Sequence, residues 1–252
     1  MIIAEIGINH LGDKNKLNLF CDELAKTDFD AVTVQVREPE FYNNLKYRGM
    51  SLTDHTYRRI AKQVKLINGQ KFGVALADIE KLSMFEEIGC DFYKILSKDF
   101  LNAEFVKEVF EKVGPKKQIM FSTGTSSHDD IQKFMSDNRK DLNRIGLIHT
   151  QLTNDVEEVN LRALHSLRED HNVPISFGNH CSVLEVLYAA QAFSPEHSFV
   201  YVKGNDDYSY PDDLHAVPVK EAAELSRKIK LIQMSLGSGN KKSMKNNIEG
   251  QE

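Results

Sequence analysis

The chain has 252 residues, of which 41% are hydrophobic and 27% are charged, and its formal net charge is -5. This composition supports a proper hydrophobic core and excludes an intrinsically disordered chain. No basic block is present, which argues against nucleic acid as a partner, and no apolar run approaches the ~20 residues that a membrane-spanning helix needs. Cys21, Cys90 and Cys181 are widely spaced and form no CxxC pair, a pattern that favours free thiols in a reducing compartment. We therefore expect a soluble cytoplasmic protein.

Short β-branched apolar runs alternate with amphipathic helical patterns along the chain. Eight runs predict strands, at 2–8, 31–36, 71–77, 91–96, 118–123, 144–150, 173–178 and 198–204. Seven patterns predict helices, at 16–27, 79–89, 103–114, 128–138, 160–171, 181–193 and 219–237. The strand runs are apolar on both faces, as parallel strands covered by helices are.

Eight strands that alternate with helices predict an α/β fold of the (β/α)8 TIM barrel type over residues 1–236. A doubly wound open sheet is the competing architecture. It usually has fewer strands and often carries GxGxxG after the first of them, where this chain has GINHLG. The polar segment 237–252 is predicted to be a disordered tail.

Polar side chains are abundant where the predicted strands end, and in a barrel this is the catalytic face. The first strand and its loop carry Glu5, Asn9 and His10 within AEIGINHLGD. The later strand ends carry Gln35, Arg37, Asp78, Lys94, Ser97, Asp99, Ser122, Thr123, His149, Gln151, Asn179, His180, Lys203, Asn205, Asp206 and Asp207. Burying an unpaired polar group costs ~1–3 kcal/mol, so these groups either bond one another or line a wet pocket. We interpret His149 as a core histidine that is bonded to backbone carbonyls.

Several of these motifs together resemble the sialic acid synthase family over roughly residues 1–236. In chain order they are AEIGINHLGD, VQ at 34–35, YKILS at 93–97, FSTGTSS at 121–127, LIHT at 147–150 and GNH at 178–180. Members of this family condense phosphoenolpyruvate with an N-acetylated amino sugar to make nonulosonic acids. The resemblance implies sugar and keto-acid substrates and a divalent metal ion, Mn2+ or Mg2+, that polarises the sugar carbonyl.

The resemblance also assigns roles to particular residues. Lys94 and Ser97 match contacts to phosphoenolpyruvate, Ser122 matches a phosphate contact, and His180 matches a metal ligand. The catalytic residues expected on this basis are Glu5, Lys94, Asp99 and Lys203. The expected substrate-binding residues are Asn9, His10, Gln35, Ser97, Ser122, Thr123 and Asn179.

The sequence also departs from the family pattern. Asp99 replaces a glutamate, Asn154 a tyrosine and Asn179 an aspartate, and Lys203 takes the place of the second metal histidine. Four donors to phosphoenolpyruvate are absent because other residues occupy their positions: Thr33, Ala75, Leu152 and Gly178. Each lost charge-assisted contact is worth ~1.5–3 kcal/mol, so together they weaken phosphoenolpyruvate binding by several powers of ten.

Family members continue into a small antifreeze-like domain that covers the active site of a neighbouring subunit. This sequence stops soon after residue 240, so we expect no such domain, and a homodimer is one open possibility for the assembly. Three functions are compatible with these observations. The first is a sugar-acid synthase with an altered donor site. The second is an aldolase-type enzyme that uses Lys94 or Lys203 as a Schiff-base amine, and the third is a non-catalytic sugar-binding or partner subunit of a full-length synthase.

Overall fold

The structure, a computed structural model, describes residues 1–241; the remainder of the predicted tail, 242–252, lies outside the described residues. Eight parallel strands form a closed barrel, because β1 pairs with both β2 and β8 and each strand between them pairs with the next. The strands are β1 Ile2–Glu5, β2 Ala31–Val36, β3 Lys71–Leu76, β4 Phe92–Ile95, β5 Ile119–Ser122, β6 Ile145–His149, β7 Ile175–Gly178 and β8 Ser198–Lys203. A two-residue strand, β9 Val217–Pro218, pairs with β8. The predicted (β/α)8 barrel is confirmed.

Eight α-helices surround the barrel. They are α1 Lys14–Leu24, α2 Asp54–Lys62, α3 Leu82–Glu87, α4 Ala103–Lys112, α5 His128–Asp137, α6 Ala163–Asp170, α7 Leu184–Ala190 and α8 Ala222–Leu236. The sequence analysis missed α2, although Thr53 caps its N-terminus through Thr56 and its apolar residues Tyr57, Ile60 and Ala61 are buried. Spacing of this kind indicates an amphipathic helix, and Thr before it is a preferred N-cap.

The interior of the barrel is filled in layers by side chains that alternate along the strands. The lower layer is a separate hydrophobic cluster formed by Ile3, Ala31, Phe92, Met120, Ile148 and Phe199. Gly73 makes room for this layer, because a Cβ atom there would overlap the ring of Phe92. Two residues further along β1, β4 and β8, the inward positions are polar: Glu5, Lys94 and Tyr201. The period of two along each strand therefore places a polar layer directly above an apolar plug.

A larger hydrophobic core lies between the outer face of the barrel and the helices. The three cysteines are buried there as free thiols. Within residues 1–241, no helix is long and apolar enough to cross a membrane.

Candidate active site

A buried ion pair forms the base of the barrel mouth. Lys94 Nζ donates to Glu5 Oε2 over 3.0 Å and to the hydroxyl of Tyr201 over 3.2 Å. The Lys94 and Glu5 side chains are only 4% and 1% exposed, and the ammonium also lies over the ring of Phe199 in the layer below. Glu5 Oε1 is buried without a partner in the described part of the chain. Two residues predicted from different strands are thus brought together, and Tyr201 joins them.

The charge state of Lys94 follows from its surroundings. Burial alone would lower its pKa, but the charge of Glu5 and the hydroxyl of Tyr201 outweigh burial, so the Lys94 pKa is raised above its ordinary value. Burial raises the pKa of Tyr201, which therefore keeps its proton at neutral pH. The base of the mouth consequently holds a fixed cation that can stabilise an anionic group above it.

Two serines lie at the ends of the neighbouring strands β4 and β5. Ser97 Oγ donates to Ser122 Oγ over 3.0 Å, and the backbone N–H of Gly124 donates to Ser97 Oγ over 3.0 Å. A Cβ atom on Gly124 would lie 2.9 Å from Ser97 Oγ, so the loop needs glycine to approach so closely. Ser97 and Ser122, both predicted as substrate-binding residues, therefore form one hydroxyl cluster at the ends of β4 and β5.

The first loop of the chain is held by hydrogen bonds of its own polar residues. Asn9 donates to the carbonyl of Val202 and accepts from the backbone N–H of Asp212, which joins β1 to the segment after β8. His10 Nδ1 accepts from the N–H of Gly12, and burial lowers the pKa of His10 to about 3. Asn9 and His10 thus shape the loop, whereas Gln35 is partly exposed at the end of β2.

Residues from β7, β8 and the following segment form a second cluster next to Tyr201. The ring of His180 lies 4.5 Å from that of His215 and 5.1 Å from that of Tyr201. His215 Nε2 lies 3.8 Å from Asp212 Oδ1, too far for a hydrogen bond. Asp212 Oδ2 and His215 Nε2 are buried and, within residues 1–241, lack hydrogen-bond partners. With Leu152, these groups line a cavity of about 160 Å³.

The titratable groups of this cluster have strongly shifted pKa values. Burial, His215 and Lys94 lower the pKa of His180 to about 3, and burial together with Lys94 and Lys203 lowers that of His215 to about 4. Burial and the charge of Glu5 raise the pKa of Asp212 to about 7. At neutral pH the two imidazoles are therefore uncharged, while Asp212 is divided between its acid and its carboxylate.

Asp212, His215 and Tyr201 were missed by the sequence analysis. Tyr201 precedes Lys203 by two positions on β8, so strand alternation alone places it on the barrel interior. Asp212 and His215 belong to PDDLH, an acidic and histidine-containing stretch just after a predicted strand end. That stretch was the available signal, but nothing in the sequence says how the loop folds back over the mouth.

The other predicted residues have hydrogen-bond or ion-pair partners of their own. Lys203 Nζ bonds the carboxylate and the carbonyl of Asp213, at 2.6 Å and 2.8 Å, and its charge contributes to the lowered pKa of His215. The side-chain amide of Asn179 donates to the carbonyl of Cys181 and accepts from its backbone N–H. Thr123 Oγ1 donates to the carbonyl of Ile148. Asp99 is buried and pairs with its neighbour Lys98 over 3.0 Å.

His149 bonds the carbonyl of Val159 over 3.0 Å, which confirms its interpretation as a core histidine. Three of the positions that lack the expected donors to phosphoenolpyruvate are buried. Thr33 is fully buried with its hydroxyl on the carbonyl of Ala4, Ala75 is buried, and Gly178 is packed under Ile148 and Thr150.

The donors around His180 can be compared with the requirements of a metal ion. Neutral imidazole and carboxylate are suitable ligands for a divalent ion, and His215 Nε2 and Asp212 Oδ2 are free to bind one. Across residues 1–241, however, no three His, Cys, Asp or Glu side chains are gathered into a ready metal-binding group. The donor chemistry of His180, His215 and Asp212 fits a metal, and their present arrangement is not a closed shell.

A parallel (β/α)8 barrel with a buried lysine, hydroxyl groups and uncharged histidines at its mouth belongs to a fold class whose active sites lie at this end of the strands. The NeuB family model matches residues 16–241, and the chain belongs to this family. The resemblance to the sialic acid synthase family, drawn from the motifs between residues 4 and 180, is confirmed.

Relatives of the chain are synthases of sugar acids. It is 24% identical to the N,N'-diacetyllegionaminic acid synthase of Campylobacter jejuni, over 97% of this chain and 80% of that protein. It is 24% identical to the human N-acetylneuraminate-9-phosphate synthase, over 95% of this chain and 72% of that protein.

Solved structures share the fold. The N-acetylneuraminic acid synthetase of Leptospira borgpetersenii, solved in complex with citrate, has a TM-score of 0.88 at 23% identity and covers 98% of this chain and 89% of its own. The spore coat polysaccharide biosynthesis protein spsE of Bacillus subtilis has a TM-score of 0.82 at 19% identity, over 97% of this chain and 72% of its own.

Proposed function

We propose that this chain is a cytoplasmic, sialic acid synthase-like enzyme that condenses phosphoenolpyruvate, or a related three-carbon donor, with an amino-sugar aldehyde. The observation that carries the proposal is the group of polar side chains gathered at the barrel mouth. Glu5, Lys94 and Tyr201 are joined by hydrogen bonds, and the rings of His180 and His215 pack against the ring of Tyr201. Membership of the NeuB family supports the same reaction class.

The donor would bind over the ion pair and the serine cluster. A three-carbon donor carries a carboxylate, and the Lys94 ammonium supplies the permanent positive charge that this group needs. Within residues 1–241, the hydroxyls of Ser97 and Ser122 bond only each other and the Gly124 amide, so they can turn toward a phosphate or carboxylate oxygen. Glu5 keeps the ammonium in place and protonated.

Asp212 would move the proton that the condensation requires. When the donor methylene bonds to the aldehyde carbon, the aldehyde oxygen becomes an alkoxide that must take up a proton. Water then adds to the donor carbon and phosphate leaves, which restores the keto group. A carboxyl group with a pKa of about 7 is well matched to donating that proton near neutrality, and Asp212 lies beside His215 at the mouth.

A divalent metal ion, Mn2+ or Mg2+, is part of this proposal. His180 and His215 would hold it, and it would supply Lewis-acid polarisation of the sugar carbonyl. Mn2+ binding can be measured directly by electron paramagnetic resonance. We expect His180→Ala and His215→Ala each to weaken it, and exposed His55→Ala to leave it unchanged.

The two lysines proposed for Schiff-base chemistry are unsuited to it. A Schiff-base amine must lose its proton easily, but Lys94 has a raised pKa and a carboxylate partner, and Lys203 bonds Asp213. Borohydride trapping with pyruvate is therefore expected to add no mass to either lysine.

The decisive experiment is calorimetric titration with phosphoenolpyruvate, with and without Mn2+, on the wild type and on His180→Ala. We expect binding that Mn2+ strengthens in the wild type and not in the variant. Turnover with N-acetylated amino sugars, followed as phosphate release, would then exclude the partner-subunit function. Absence of both binding and turnover would leave a non-catalytic partner subunit as the better description, and copurification with a full-length synthase would test it.

A further inference from the structure

One lysine of α1 holds the loop between β8 and β9 through several contacts at once. Lys16 Nζ donates to Asp206 Oδ2 over 2.9 Å and to the hydroxyl of Tyr210 over 2.8 Å. The same ammonium lies 5.1 Å and 4.9 Å from the ring centroids of Tyr208 and Tyr210. The Tyr210 hydroxyl in turn donates to the carboxylate of Asp206. The proposed condensation leaves all four residues without a role.

The β8–β9 loop, residues 205–216, has few other attachments to the barrel. Near its two ends it bonds Lys203, at the end of β8, and the backbone N–H of Lys220. Its remaining hydrogen bonds to other parts of residues 1–241 go to Asn9 and Lys16. Since Asn9 holds a single backbone amide, Lys16 supplies the charged contact that ties this loop to α1.

Two groups at the barrel mouth depend on the path of the β8–β9 loop. Asp212 and His215 line the cavity beside His180, and they follow Tyr210 closely in the chain. Tyr210 is buried, and a Cβ atom at Gly204 would overlap its hydroxyl, so glycine at the end of β8 makes room for the ring. A displacement of Tyr210 would therefore carry Asp212 and His215 away from the mouth.

We propose that Lys16 is a positioning residue, which holds the β8–β9 loop so that Asp212 and His215 face the barrel mouth. Its effect on the reaction rests on the proposed function, whereas its hold on the loop does not. Asp206 is 57% exposed, and exposed ion pairs contribute little to stability, so the contact serves to place the loop. Misplacing a catalytic group by about 1 Å can lower a rate roughly 10²-fold, so a contact of this kind can matter greatly for turnover.

Lys16→Met tests the proposal, because methionine keeps an aliphatic chain against the tyrosine rings and removes the charge. We expect hydrogen–deuterium exchange across the β8–β9 loop to become about ten-fold faster, while the urea midpoint of unfolding stays close to that of the wild type. The kcat for phosphate release should fall roughly 10-fold to 100-fold. Phosphoenolpyruvate binding without Mn2+ should be unchanged, since Lys94, Ser97 and Ser122 belong to β4 and β5 and the turns that follow them. Mn2+ binding should weaken several-fold, because His215 belongs to the loop.

Two further variants separate positioning from a general loss of structure. Lys16→Arg returns a cation to the tyrosine rings and should recover most of the kcat and slow the exchange again. Lys14→Met, at an exposed lysine of the same helix, is the matched control and should change neither quantity. Wild-type exchange in Lys16→Met would overturn the proposal, and so would faster exchange with an unchanged kcat. If the wild type releases no phosphate, the proposed function is wrong, and loop exchange together with Mn2+ affinity decides whether Lys16 holds the loop.

Discussion

Two sets of strands around the barrel mouth differ in how many polar groups they retain. The retained set is β8 with β1 and, across the barrel, β4 with β5, and its polar groups are hydrogen-bonded: Glu5, Lys94, Ser97, Ser122 and Tyr201. The reduced set is β2 with β3 and β6 with β7, where the positions at which the family resemblance places donors are small, apolar or bonded to the backbone: Thr33, Ala75, Leu152 and Gly178. A buried ion pair is often no more stabilising than apolar residues of the same volume, so its presence points to a chemical use. The chain therefore keeps a buried charged centre at the barrel mouth, whereas the surrounding positions offer fewer hydrogen-bond donors.

The largest effect should come from Lys94→Met, which breaks the ion pair of the retained set of strands. Removal of the ammonium leaves the Glu5 carboxylate buried and unpaired, which we expect to cost about 3–5 kcal/mol in the free energy of unfolding and to abolish phosphoenolpyruvate binding. Urea denaturation and calorimetry measure the two quantities. Lys107→Met, at an exposed lysine on α4, is the matched control.

The double variant Glu5→Gln with Lys94→Met tests the physical reason. Since it removes both charges, it should be clearly more stable than Lys94→Met alone, although it should still bind no donor. A double variant no more stable than the single one would show that the ion pair is not what holds this layer together.

Asp212→Asn tests the cluster formed by His180, His215 and Asp212. If Asp212 donates the proton, its amide should lower kcat by roughly 10²–10⁴-fold and remove the limb of the pH–rate profile near pH 7. The neighbouring Asp213→Asn, at the carboxylate that pairs with Lys203, should keep that limb. An unchanged pH profile in Asp212→Asn would assign the proton transfer to another group.

The barrel could be predicted from the sequence because its signals are local and repeated. Apolar runs such as 31–36 alternate with helical patterns, and each of the eight predicted strands lies within two or three residues of its observed bounds. Helix α2 was missed because six polar or charged residues dominate DHTYRRIAK, and only the spacing of Tyr57, Ile60 and Ala61 reveals its buried face.

The site was only partly predictable, for a different physical reason. Residues at strand ends, such as Glu5, Lys94 and Ser122, meet because the barrel brings all strand ends together. His215 and Asp212 reach the mouth through a loop whose path depends on the Asn9 bonds to Val202 and Asp212. Lys203 was predicted as an active-site cation from its place at a strand end, and the structure adds an ion-pair partner from the following loop, Asp213, that the sequence does not reveal.

Low pH should destabilise the folded protein through His180. His180 has a folded-state pKa of about 3, below about 6.5 in the unfolded chain, so the unfolded state binds the extra proton between these values and stability falls as pH falls from 6.5. Asp212 acts in the opposite sense between about pH 4 and 7, because its folded-state pKa is raised and the folded state holds the proton there.

His180→Gln should therefore reduce the slope of unfolding free energy against pH by about 1.4 kcal/mol per pH unit between pH 4 and 6. Urea denaturation at several pH values measures the slope, with exposed His55→Gln as control. A variant with the wild-type slope would mean that His180 takes up a proton as readily in the folded protein as in the unfolded chain.

The smallest effect should come from Gly178→Ser, which returns one hydroxyl donor to the reduced set of strands. A Cβ atom at this position would lie 3.1 Å from Ile148 Cγ2 and 3.4 Å from Thr150 Cβ, so Ile148 must shift by a few tenths of an ångström. That strain offsets part of the ~1.5–3 kcal/mol that a hydroxyl bond to a charged phosphate is worth, so we expect phosphoenolpyruvate affinity to rise about three-fold to ten-fold. Gly178→Ala carries the same strain without the hydroxyl and should bind no better than the wild type. Equal affinities in the serine and alanine variants would mean that position 178 does not face the donor, because a hydroxyl that bonded a phosphate oxygen would raise the affinity.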